Sequence, residues 1–493
     1  MHRYSKYPSY EVSNKHGFGE LPVGWKMICL RHLFEIKAGG DLKEEFYSKT
    51  KTDEHVYPIY TNAIKSDVVY GYTSKSFFPS NTITVTGRGE IGYAIYRDHK
   101  YDAIIRLLVL TPKNTENCKY FVYFINSVLN FYGGNTAISQ LSTEQISPYK
   151  VVVPPFCEQK TIANFLDFKT AQIDALIAKK QALLEKLAEK RTALISHAVT
   201  KGLDPSVPMK DSGVEWLGEI PAHWEAKRLK FFVSIFGGGT PNTSKPEYWH
   251  GEIPWVSPKD MKSDFIDSTE DYLTDLGVTE SATKIVPVNS VLIVVRSGIL
   301  RHTIPVARNT IDVALNQDMK ALVTNQSMRP GFLHWCINGL QKGLLPLWSK
   351  QGCTVESIEM GYMTNTFFPL PPIDEQDAIL EHVSKITTLV DLQIQKVRNV
   401  ILALAEYRSA LITNAVTGKI DVRQWQVRAR YLLSSQLCAV AIFIHYHSAA
   451  AFDRGLDHHK PLCCIDFIEM TGNGIHQPKT CCLLRQVTCA VGE

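Results

Sequence analysis

Two groups of residues in this sequence are of types that do chemistry, and both fail on spacing or surroundings. Gly87 to Gly92, G-R-G-E-I-G, fits G-x-G-x-x-G behind a strand-like segment, a pattern that cradles a pyrophosphate when a helix follows. Here I-G-Y-A-I-Y continues as an alternating strand, so the glycines read as a hairpin and not as a cofactor loop. His458, His459, Cys463, Cys464, His476, Cys481, Cys482 and Cys489 crowd the last 67 residues with soft metal ligands. Adjacent Cys-Cys pairs do not match the C-x-x-C type of spacing by which one turn gathers zinc ligands, so no metal site is assigned. There is no G-x-x-x-x-G-K-[ST] loop, H-E-x-x-H pair or G-x-S-x-G elbow, and no N-P-P-[FYW] run of an amino-methyltransferase. The chain is expected to carry no catalytic residues and no cofactor of its own.

Attention therefore moves to the elements. At 493 residues the chain is too long for one hydrophobic core, and 45% apolar content supports folded domains. A net charge of +4 is mild and neither demands nor excludes a polyanionic partner. Met1 to Tyr10 lacks the apolar core of a signal peptide, and no apolar run of 18 or more occurs, so a soluble cytoplasmic protein is expected. Of 11 cysteines, five are spread over the first 426 residues, as in a reduced intracellular protein.

Internal repetition sets the architecture. G-E-L-P-V-G-W at Gly19 to Trp25 returns as G-E-I-P-A-H-W at Gly218 to Trp224, a shift of 199 residues that Gly39 and Gly238 also keep. P-P-F-C-E-Q at Pro154 returns as P-P-I-D-E-Q at Pro371, shifted by 217; from there to Thr200 and Thr417, 19 of 47 aligned positions are identical without a gap. Each half is a fixed frame around a variable insert.

The second block is helical in both copies. Alternating steps of three and four pick out Ile173, Ile177, Lys180, Leu184, Leu187, Arg191, Leu194 and Ala198, then Val390, Ile394, Val397, Ile401, Leu404, Arg408, Leu411 and Ala415, which is a coiled-coil seam. The Pro-Pro pairs mark the entries, Gly202 and Gly418 the exits. About 40 residues give rods of roughly 60 Å. Residues 157–200 carry seven basic and five acidic side chains, residues 374–417 four and six, and these opposite imbalances favour pairing of the two helices. The inserts have mixed α/β character: strands are expected at Asn81–Thr86, Tyr93–Tyr96 and Val288–Arg296, short helices at Lys119–Asn130 and Arg329–Gly339.

This doubled frame resembles the specificity subunits of type I restriction-modification systems, over about residues 16–422. The likeness rests on the two P-P-x-x-E-Q helices, each behind a variable domain. G-N-T-A-I-S-Q-L (Gly134 to Leu141) and the stretch from Gly238 to Met261 also look like target-recognition sequence. The resemblance implies an α/β (mixed α+β) fold with two target-recognition domains separated by two long helices in an antiparallel coiled coil. The expected layout is recognition domain 1 at 1–153, spacer 1 at 154–203, recognition domain 2 at 204–370, spacer 2 at 371–422, and an atypical, poorly ordered or frame-altered tail at 423–493. It further implies that each domain reads half of a bipartite double-stranded DNA target, that the helices dock two modification subunits, and that restriction subunits join them. S-adenosylmethionine, ATP and Mg would then belong to those partners, and no membrane is involved.

Lys and Arg meet phosphates, while Arg, Asn and Gln read base edges. The candidates for DNA binding are Asn62, Lys65, Lys75, Arg88, Ser139 and Gln140 in the first insert; in the second they are Ser257, Lys259, Arg296, Arg301, His302, Asn316, Gln317 and Lys350. Half-sites about one duplex turn apart, roughly 34 Å, fall within reach of such a spacer. Two other classes stay open: a coiled-coil scaffold that binds no DNA, and the recognition module of a fused methyltransferase or nuclease, against which the missing motifs count.

Overall fold

A computed structural model describes residues 4–12, 19–131, 140–350, 352 and 354–425. Ser139 and residues 426–493 of the tail lie outside the described residues.

The two repeated blocks are long helices, Phe156–Lys201 of 46 residues and Ile373–Val416 of 44. Each starts behind an extended proline, Pro155 or Pro372, whose missing N–H costs nothing there. Midway along, the expected seam residues Ile177, Leu184 and Leu187, with Ile394, Val397, Ile401 and Leu404, are half-buried between exposed neighbours. Arg191 Nε lies 3.0 Å from Asp391 Oδ1, and Arg408 Nε lies 2.8 Å from Asp174 Oδ1. Position 174 pairing with 408 and 191 with 391 makes the helices antiparallel. The 217-residue shift exchanges the two bridges, so a local two-fold relates the halves.

Each insert folds as packed sheets closed by a short helix. In the first, one sheet orders Phe34–Ala38, Leu108–Pro112, Thr82–Val85 and Ala94–Arg97; the other orders Asp102–Ala103, Tyr57–Tyr60, Gly71–Thr73 and Tyr47–Ser48. The Gly87–Gly92 segment is the loop of the antiparallel pair Thr82–Val85 and Ala94–Arg97, a hairpin as expected. In the second insert, one sheet orders Val233–Gly237, Met319–Thr324, Val291–Val294, Val306–Asn309 and Phe265–Ile266. The other orders Asp271–Leu273, Trp249–Val256, Val313–Leu315 and Ile285–Val286. Helices Cys118–Val128 and Pro330–Gly339 sit where periodicity places them and pack on the long helices. Ile195, Val199, Ile379 and Val383 of those helices enter the second domain's core beside Trp224, Phe332 and Phe368.

The frame motifs turn out to be one joint made twice. Trp25 Nε1 donates to Glu158 at 2.9 Å and Trp224 Nε1 to Glu375 at 2.8 Å, tying the G-E-[LI]-P-x-x-W block to the P-P-x-x-E-Q block. The glutamine beside each acid binds the short helix: Gln159 accepts from the Asn117 N–H at 2.9 Å, and Gln376 from the Arg329 N–H at 2.8 Å. Strand Tyr10–Val12 pairs with Glu20–Pro22 as Met209–Asp211 pairs with Glu219–Pro221. The Asp421 N–H donates to the Ser5 carbonyl at 2.8 Å, so the first residues of the chain continue the second long helix as residues 203–211 continue the first.

Candidate nucleic-acid interface

In each domain the same loops gather at one rim. Gly39–Gly40 and Gly238–Gly239 follow strands Phe34–Ala38 and Val233–Gly237, and at Gly39 and Gly238 no side chain fits. A Cβ on Gly39 would stand 2.4 Å from the Ala103 carbonyl oxygen, and one on Gly238 2.1 Å from that of Asn316. The turn they press against joins Asp102–Ala103 to Leu108–Pro112 in the first domain, and Val313–Leu315 to Met319–Thr324 in the second. A loop after the central strand lies alongside, Gly87–Arg88 in one and Arg296–His302 in the other. The segment ahead of the long helix closes the rim: the Leu141 N–H donates to the Gly87 carbonyl at 2.8 Å, and the Ile358 N–H to that of Val295 at 2.8 Å.

In the first domain Asn62, Arg88 and Gln140 come together. Asn62 spends its amide on backbone, accepting from the Gly87 N–H at 2.7 Å and the Arg88 N–H at 3.2 Å, and donating to the Ile105 carbonyl at 2.7 Å. Arg88 donates to Gln140 Oε1 from both Nη2, at 3.1 Å, and Nε, at 3.3 Å, on an exposed side chain. Lys65 stands exposed just beyond Asn62. Lys75 is placed elsewhere, at the end of the second sheet, 5.6 Å above the Phe46 ring.

The second rim is laced with carboxylates. Arg296 Nε donates to Asp318 Oδ1 at 2.6 Å, and Arg301 Nε to Glu356 Oε1 at 2.8 Å. The Arg301 bond holds the Glu356 carboxyl below its usual range. Lys259 lies 2.9 Å from Asp271 and 3.2 Å from Glu270, which raise its ammonium above its ordinary value. Lys350 donates its N–H to the Ser357 carbonyl at 2.9 Å, beside the Arg296 loop. Gln317 accepts from the Thr240 hydroxyl, and His302 is exposed at the loop's end. Ser257 and Asn316 build turns: the Ser257 hydroxyl donates to Asp260 at 2.8 Å, and Asn316 Oδ1 accepts from the Asp318 N–H at 2.6 Å. These pairs spend guanidinium donors of Arg296 and Arg301 on carboxylates of the same rim.

Sequence reasoning missed Ile105 and Arg106, which stand in the first domain where Gln317 and Asp318 stand in the second: the Ile104 N–H donates to the Tyr60 carbonyl as the Asn316 N–H does to that of Val256, and each turn closes on the same bond, Leu107 N–H to Ile104 and Met319 N–H to Asn316. The two turns are related by a shift of 212 residues that puts Ala103 opposite Leu315, inside inserts whose sequences align poorly, so no local signal marks them.

Two copies of one sheet-and-helix head with a polar rim, joined by an antiparallel helical pair, define a tandem recognition subunit. The model of the type I restriction modification DNA specificity domain matches residues 22–186 and 221–402. The chain is 31% identical over 296 residues to the Escherichia coli type I restriction enzyme EcoR124I/EcoR124II specificity subunit, covering 58% of this chain and 67% of that one. It is 23% identical to the putative type I restriction enzyme MjaX specificity subunit of Methanocaldococcus jannaschii, over 84% of this chain and 97% of that one. A chain solved in work on complex assembly and conformational transition of the type I R-M system shares the fold, with a TM-score of 0.63 at 13% identity, over 81% of this chain and 99% of that one. The chain belongs to the type I restriction-modification specificity family, and its role is that of a DNA sequence-specificity subunit.

Proposed function

We propose that each rim reads one half of a split DNA target, and that the helical pair sets the distance between halves while docking the subunits that modify the DNA. The observation that carries this is the local two-fold written in the paired bridges Arg191–Asp391 and Arg408–Asp174. Two heads related by a two-fold meet duplex DNA, which has its own dyads, in opposite orientations one half-site each. At about 1.5 Å per residue the spacer is close to 70 Å long, enough for half-sites one turn apart.

The spacer also keeps an apolar stripe beside its seam. Leu389, Val400 and Tyr407, at steps of 11 and 7 residues, fall on one face of the second helix and are exposed; Leu176 and Leu183 do the same on the first. Exposed stripes of this kind suit a protein partner, and the two-fold supplies two equivalent places for two modification subunits. S-adenosylmethionine, ATP and Mg would act in the partner subunits, this chain being non-catalytic and its setting the cytoplasm; among the described residues no helix is long and apolar enough to cross a membrane.

The test is to co-express the chain with its modification subunits and map adenine methylation across a genome. Methylation at one split motif is expected. A stable complex that methylates nothing, or that methylates without a split motif, overturns the proposal. A scaffold that binds no DNA would also fail to show salt-sensitive retention on random duplex.

A further inference from the structure

The first rim holds a pair of residues whose conformation calls for an explanation. Ile105 and Arg106 have φ of 56° and 60°, the left-handed region that side chains avoid and that is an outlier for a β-branched residue. Ile105 is nonetheless 45% exposed, and Arg106 is exposed beside it. No packing gain at the tip accounts for the strain, since both side chains leave the protein. The turn is held from below. The Ile105 N–H donates to the Gly40 carbonyl at 3.0 Å, the Arg106 N–H to that of Gly39 at 3.2 Å, and Asn62 Nδ2 to the Ile105 carbonyl at 2.7 Å. Asn62 binds the Gly87–Arg88 loop with its other amide atom, so one side chain fastens both loops. The loops touch: a Cβ on Gly87 would stand 2.7 Å from the Arg106 carbonyl oxygen.

Two features separate Arg106 from the arginines of the second rim. Arg296 and Arg301 each bind a carboxylate, whereas among the described residues no carboxylate pairs with Arg106. Its fork meets a ligand without first breaking an ion pair. Its turn is also the counterpart of Gln317–Asp318, with Arg106 where the second domain has Asp318, so the two heads present unlike side chains from one position in the fold. That is how one scaffold reads two different sequences.

We infer that Arg106 is a base-reading residue of the first domain, taking a guanine edge in the major groove, with Ile105 as its apolar neighbour and Asn62 as the positioning residue that aims the turn. The inference rests on the proposal that the rims read DNA. Arg presents two parallel N–H donors that match guanine O6 and N7, and an aliphatic side chain beside it suits a thymine methyl.

The experiment uses the full chain in complex with its modification subunits, and selects bound sequences from a randomised duplex library for the parent, Arg106→Ala and Arg106→Lys. Arg106→Ala is expected to relax preference at one base pair of one half-site by roughly tenfold or more, leaving the other half-site unchanged. Arg106→Lys keeps the charge but not the fork, and is expected to leave that position relaxed. Restoration by Lys, or a uniform loss over all sequences with a shallower salt dependence, would mark a phosphate contact and overturn the inference. Unchanged selectivity in Arg106→Ala would overturn it as well. A parent complex that selects no sequence sinks the proposed function itself, an outcome distinct from failure of the variant alone. Because Arg106 is exposed, matching melting temperatures are expected throughout.

Discussion

Single side chains carry the joints of this molecule. Gln376 is fully buried, and its amide meets the Arg329 N–H and the carbonyls of Ser327 and Pro371 at 2.8, 3.0 and 2.9 Å. Gln376→Leu keeps the volume but strands those backbone groups, at a cost of about 2 to 3 kcal/mol. Urea denaturation should show a lower midpoint at unchanged slope; an unshifted midpoint would refute the stapling role. His334 is 1% exposed, with Asp264 Oδ1 3.5 Å from Nε2 and the cations Arg308 and Arg191 near. Burial holds its imidazole below the ordinary value, against the pull of Asp264. An unfolded histidine takes a proton below about pH 6.5, the folded one only at lower pH, so the unfolded state binds more protons in between. Stability is expected to fall as pH drops from about 6.5 toward 5, and His334→Gln to flatten that slope in thermal melts. Burial raises the Asp264 carboxyl, but His334 and Arg191 bring it below its usual range, so its own contribution is lost only on further acidification.

At the scale of elements, equivalent bridges are not equivalent in energy. Arg408 and Asp174 are exposed side chains, 38% and 51%, and such a pair contributes about 0.5 kcal/mol. Arg191, 18% exposed, binds Asp391 and also Asp264, joining spacer to second domain beside the buried His334. Arg191→Ala leaves a largely buried carboxylate without its cation, and should cost roughly 2 to 3 kcal/mol, between the exposed and fully buried cases. Equal losses in Arg191→Ala and Arg408→Ala, measured by denaturant titration, would show that the Asp264 link contributes nothing. The seam itself was legible, since a step of three and four residues needs only local geometry. Asp264 was not, because it reaches Arg191 from 73 positions away.

For the whole molecule, the length of the helical pair is the quantity that matters. Inserting one heptad after Ala182 and one after Asn399, the facing points where the local two-fold crosses the helical pair, keeps the seam in register and lengthens the spacer by about 10 Å, roughly three base pairs. Methylation mapping of the co-expressed complex should return the same two half-sites with a gap longer by about three. An unchanged gap would mean that the modification subunits, and not this chain, set the distance.

The sequence by itself determined the frame: two copies, two long helices, their apolar seam and the hairpin at Gly87–Gly92. All of these follow from repetition or from periodicity within one segment. Most of the candidate residues it singled out fall on loops of the two rims, because polar residues and glycines cluster where strands end. Only the tertiary structure decided what each does there. It spent Asn62, Ser257 and Asn316 on building turns, set Lys75 apart, paired Arg296 and Arg301 with Asp318 and Glu356, and brought the Ile105–Arg106 turn against Gly39 and Gly87. Those outcomes depend on backbone groups meeting across long sequence separations, and no local pattern in a variable insert encodes that meeting.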